Sequence, residues 1–77
     1  MYNKTTKLLM LAKNIQNARK AKKLSQNALA EKLDISREHL AKIETAKRCV
    51  SLSLLFDIAD KLDVAEKDLL DFEKSNS

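Results

Sequence analysis

Apolar residues recur at helical spacing along almost the whole chain, and no stretch alternates in the way a half-buried strand would. From about Thr6 to Lys22, Leu8, Leu11, Ile15 and Ala18 fall every three or four positions, forming the stripe that one helix face buries. The pattern restarts after Ser25, a good N-cap, over Gln26 to Leu33, and again after Ser36 to about Thr45. In this pair Leu29, Ala30, Leu33, Ile35, Leu40 and Ile43 point inward. A fourth segment follows Ser51 and turns Leu52, Leu55, Ile58, Ala59 and Leu62 toward the interior. A short fifth helix is predicted around Glu66 to Phe72. β-Branched residues are few, so the expected fold class is all-α, with five helices joined by tight turns.

Those turns are unusual, because the sequence contains no Gly and no Pro. Helices commonly end on a left-handed residue, and a Cβ makes that conformation strained. Asp34 and Asp63 stand where the chain must reverse, and Asp tolerates the left-handed region better than most residues. Ala46, between the third and fourth helices, is a poorer occupant of such a position.

Seventy-seven residues make a single domain, with a core over about 7–72 and short tails. A chain of this size buries only about 60% of its unfolded surface and is marginally stable. It leaves no room for a separate effector domain, so no small-molecule ligand is expected. No repeat or low-complexity linker interrupts it, and no apolar run of about 18 residues is present to span a membrane. The opening MYNKTTKLLMLAKN lacks a small-residue cleavage pattern and reads as part of a mature helix. With one cysteine, Cys49, there is no internal disulfide, and a cytoplasmic location is expected. Cys49 reads as a packed or idle thiol. One histidine and one cysteine, without a Gly-rich loop, supply no nucleophile–base pair, metal cluster or phosphate cradle. An enzyme is therefore not expected, nor is any metal or cofactor.

Charge changes the picture more than composition does. Residues 1–48 carry 12 Lys and Arg against 4 Asp and Glu, a surplus of eight positive charges, whereas 49–77 carry 3 against 7. A basic N-terminal two-thirds is the electrostatic footprint of phosphate contact, and a solvated basic face is its competing explanation. Membrane binding fits less well, because Arg19 to Lys23 lacks aromatic anchors. The segment Gln26 to Glu44 gives that charge a chemistry. Its second helix buries one side and turns Arg37, Glu38, His39 and Lys42 outward, a shape and size that a DNA major groove admits. Arg37 lies in the first turn, where its fork can reach guanine O6 and N7. Glu38 can accept from cytosine N4 or repel unsuitable sequences. Lys42, one turn on, can reach a guanine or a phosphate, and small Ala41 permits close approach. His39 is a phosphate candidate or a solvated histidine.

Leu24-Ser25-Gln26, Leu29-Ala30-Glu31-Lys32-Leu33, Ile35-Ser36-Arg37 and Ile43-Glu44 together resemble the lambda-repressor-like (Xre/Cro-type) helix-turn-helix family. The resemblance continues through Ser51-Leu52, Ile58-Ala59, Leu62-Asp63-Val64 and Leu69-Leu70, covering about residues 8 to 72. It implies a compact five-helix DNA-binding domain with the helix-turn-helix at the second and third helices. It further implies that Arg37, Glu38 and Lys42 read base edges. Gln26 would touch the phosphate backbone and brace the reading helix. Ser36 would lie close to phosphate, and Lys47 and Arg48 in the following loop would grip it. Arg19 and Glu44 match a buried structural ion pair. The chain departs from the family where Asp34, Ala46 and Asp63 replace Gly, Val50 replaces a frequent Pro, and Ala28 replaces a capping Glu.

One such module reads only a few base pairs, so a homodimer on a two-fold operator of double-stranded DNA is expected. Val64, Leu69, Leu70 and Phe72, with Phe56, are the candidate dimer face, being more apolar than the last helix of a small monomer needs; closing the monomer core is the competing explanation. The resemblance suggests a transcriptional regulator such as a restriction–modification controller or phage-type repressor. An antitoxin-type autoregulator and a protein–protein adaptor on the same fold are the alternatives.

Overall fold

Four of the five helices begin on a side chain that caps them. Asn3, Ser25, Ser36 and Ser51 each accept a hydrogen bond from the backbone N–H three residues on, at 2.8–3.1 Å. Each such cap stabilises a helix start by about 1 kcal/mol. The computed structural model, which describes residues 2–73, accordingly has α1 (Lys4–Ala21), α2 (Gln26–Leu33), α3 (Arg37–Glu44), α4 (Leu52–Leu62) and α5 (Glu66–Leu69), with no strand among those residues. The all-α expectation holds. Asn3 starts α1 two residues earlier than its apolar stripe suggests. At the other end, α5 follows Ala65, which offers no side-chain cap, and stops at Leu69 rather than reaching Phe72.

The helix ends show how a chain without glycine turns. Lys23, Asp34, Ala46 and Asp63 all have φ between 55° and 60°. After each, the next N–H reaches back to a carbonyl five residues earlier: Leu24 to Arg19, Ile35 to Ala30, Lys47 to Lys42 and Val64 to Ala59. All four long helices thus close in the Schellman pattern. In three of them the residue after the turn is apolar, and Leu24, Ile35 and Val64 drop onto the core. That packing offsets the left-handed strain. The fourth has Lys47, which stays exposed. Glycine at these positions should relieve strain of about 0.5–1 kcal/mol. Asp34→Gly is expected to raise the melting temperature by a few degrees, and Ala46→Gly by more, since Ala lacks the polar side chain that eases Asp into this region. A thermal melt in which either variant is clearly destabilised would contradict this.

Every helix sends at least one fully buried side chain to one core: Ile15, Leu29, Leu40, Ile58, Leu62 and Leu69. Each contributes roughly 1.5–3 kcal/mol through burial. α2 packs on α3 and α4, while α1 crosses α3, α4 and α5 and ties the C-terminal segment to the rest. Two positions differ from the apolar pattern. Leu52, expected inside, is 64% exposed, because it opens α4 at the edge of the arc buried by Leu55, Ile58 and Leu62. Leu69, expected at a dimer face, is 1% exposed and closes the core beneath α1. Asn14 of α1 helps hold it there, donating from Nδ2 to the carbonyls of Leu69 and Asp71 at 2.9 and 3.3 Å.

Candidate nucleic-acid interface

α3 lies on the surface with Leu40 and Ile43 buried and Arg37, Glu38 and Lys42 exposed. Arg37 and Lys42 are five residues apart, about 7.5 Å along the helix axis, or roughly two base-pair steps. Ala41 is half-buried between them, and its small side chain permits close approach. His39 is half-buried rather than fully outward. Ser36 Oγ accepts from the His39 N–H, which leaves its own hydroxyl hydrogen to donate.

The turn after α3 gathers further positive charge. The carbonyl of Lys42 accepts from the backbone N–H of both Lys47 (2.9 Å) and Arg48 (3.2 Å), folding the loop back onto the last turn of α3. Thr45 Oγ1 donates to the Ala41 carbonyl at 2.9 Å and secures the same turn. Lys42, Lys47 and Arg48 therefore radiate from one backbone node, and all three are exposed. Among the described residues none of these three cations lies within ion-pair distance of a carboxylate.

The ion pair of Arg19 and Glu44 anchors the site from below. Arg19 Nε and Nη2 meet the two oxygens of Glu44 at 2.7 and 3.0 Å, and Nη1 donates to the Leu24 carbonyl at 2.8 Å. The side chains are 8% and 0% exposed. Gln26, the first residue of α2, donates from Nε2 to Glu44 Oε1 at 3.0 Å. The end of α1, the start of α2 and the end of α3 thus meet at a single carboxylate. Periodicity holds no signal for the Gln26 bond or the Asn14 tie, because both partners are distant in sequence. The node at Lys42 was also not anticipated, although Thr45 and the left-handed Ala46 are its local markers.

The family profile described as Helix-turn-helix matches residues 15–69, most of the chain and all of this architecture. The chain belongs to the lambda-repressor-like helix-turn-helix family. It is, at that level, a DNA-binding transcriptional regulator. Several solved structures superpose closely on the chain. The restriction–modification controller protein C.AhdI from Aeromonas hydrophila is 30% identical, with 83% of this chain and 97% of that one covered at a TM-score of 0.79. The hypothetical transcription factor NHTF from Neisseria is 26% identical, covering 99% and 91% at 0.81. The clp gene regulator ClgR from C. glutamicum, 24% identical over 88% of each chain at 0.81, shares the fold. No curated protein is significantly similar in sequence.

Elsewhere this helix-turn-helix domain is plain. Among the described residues no group of three or more His, Cys, Asp or Glu could hold a metal, and no helix is long and apolar enough to cross a membrane. Cys49, read as a packed or idle thiol, is exposed in the loop beyond Arg48.

Proposed function

We propose that the protein is a sequence-specific transcriptional regulator that binds a two-fold DNA operator as a homodimer. The observation that carries this reading is the exposed strip of α3: Arg37, Glu38 and Lys42 outward, with Lys47 and Arg48 folded back beside Lys42. Arg37, Glu38 and Lys42 read base edges in the major groove. Ser36, Lys47, Arg48 and Gln26 take phosphates on either side, and His39 adds a contact at its exposed edge. The likeness to a restriction–modification controller, 97% of which is covered, supports control of that kind, with occupancy set by protein concentration.

The dimer face is best sought at the C-terminal end, where Leu70 is 45% exposed beside half-buried Val64 and Phe72. Leu69 drops out of that face because the core uses it. Leu70 and Phe72 rim an apolar groove with Leu8 and Leu11, edged by Lys4 and Lys7. The adjacent Asp71 and Glu73 have the opposite sign. Two copies related by a two-fold axis would set each acidic, apolar end against the other's basic rim, the self-complementarity an isologous interface needs. Phe56 and Leu52, 49% and 64% exposed on α4, form a second apolar patch and the competing surface.

Titration of duplex selected from a random pool tests the whole reading. Binding should weaken steeply as salt rises, and sedimentation of the complex should return two chains per site. An adaptor on the same fold would lack salt-sensitive duplex affinity. A protein monomeric at micromolar concentration, with and without operator, would remove the dimer.

A further inference from the structure

Among the described residues Glu44 is the least exposed charged group, and it does more than neutralise Arg19. With Arg19 on both oxygens, Oε1 takes a third hydrogen bond from Gln26 Nε2. A carboxylate held by a guanidinium only accepts, so the NH2 end of the Gln26 amide must face it. One of the two amide hydrogens is used there and one remains. A free glutamine could present either end to DNA, and its carbonyl end would repel a phosphate, which also only accepts.

We infer that Glu44 is a positioning residue for DNA contact, holding the Gln26 amide so that its second N–H is offered to a phosphate at the start of α2. This rests on the DNA-binding reading above and extends it. The ion pair that joins α1 to α3 also sets the backbone contact. Gln26 opens α2 and Glu44 closes α3, so their bond fixes the distance between the phosphate contact and the base-reading strip. Arg19 is necessary to the arrangement, because it cancels a charge that would otherwise repel the phosphate. Gln26 then reaches DNA with its rotamers already restricted, and less conformational entropy is lost on binding.

The first test needs no DNA. The chain has two glutamines, Gln16 and Gln26. Gln16 only accepts from an exposed Lys13, through its Oε1. In an amide NMR spectrum of the free protein, the Gln26 side-chain signals should be displaced from those of Gln16 and exchange slowly. Glu44→Asp keeps the charge opposite Arg19 but withdraws the carboxylate by one methylene, and should collapse that displacement. Glu44→Asp and Gln26→Met should each weaken operator binding by about threefold to tenfold, the range for one side chain immobilised on binding. The double variant should be no weaker than the worse single one. Fold losses that multiply, or a Gln26 amide indistinguishable from Gln16, would overturn the assignment. Gln26→Asn, an exterior change that keeps an amide but cannot span to Glu44, covers the case in which Glu44→Asp does not fold. It should bind as weakly as Gln26→Met, and full affinity would overturn the proposal. If the wild-type chain binds no duplex while its Gln26 signals remain displaced, the DNA reading itself has failed and the role falls with it.

Discussion

Glu44→Ala should remove about 3–5 kcal/mol of folding stability, most of what a domain this small possesses. The Glu44 side chain is wholly buried and Arg19 is nearly so. Truncation leaves a guanidinium in the interior with Nε and Nη2 unpaired, and also strips Gln26 of its acceptor. An exposed pair would cost at most about 1 kcal/mol, so the magnitude itself tests the burial. A domain this small lies near the lower end of the usual range of about 5–15 kcal/mol and has little stability to spare. Urea titration followed by circular dichroism should show the midpoint collapse. Arg19→Met combined with Glu44→Leu should recover much of the loss, since no charge is then stranded. A cost below about 1 kcal/mol for Glu44→Ala would mean that water enters the site.

The largest functional effect is expected at Arg37. Its side chain is exposed and lies in the first turn of α3. Replacing it by Ala should change stability by no more than about 0.5 kcal/mol. Discrimination at one base pair of the operator should fall by about 1–3 kcal/mol, from several-fold to more than a hundredfold. Lys47→Ala should behave differently, weakening all duplexes alike and lowering the salt slope by about 0.9. Affinities measured over single-base operator variants at several salt concentrations separate the two patterns. Equal weakening of every sequence by Arg37→Ala would move that residue from base reading to phosphate contact.

The legible parts of this protein are those whose causes lie within a few residues. Ser25, Ser36 and Ser51 announce helix starts because each cap bonds an N–H three residues away. Asp34 and Asp63 announce ends because few other side chains tolerate φ near 55–58°. Lys23 was not legible. Nothing in a lysine favours φ 60°, and it turns because Leu24 must reach the core while Arg19 holds the Leu24 carbonyl. Leu69 was misread for a different reason. Core and interface both call for apolar residues, so hydrophobicity does not distinguish them when the helix spans one turn. Leu52 erred in the opposite direction, lying at the arc edge where periodicity is least discriminating.

The chain's own sequence determined five helices, their order and most of their limits, the basic strip on the third helix and the acidic end that follows, because capping, periodicity and charge act locally. Tertiary structure decided which groups meet. Asn14 reaches carbonyls 55 and 57 residues away, and Gln26 meets a carboxylate 18 residues away. Such bonds form only where helices cross, and crossings follow from the packing of whole faces, which no single stretch of sequence contains.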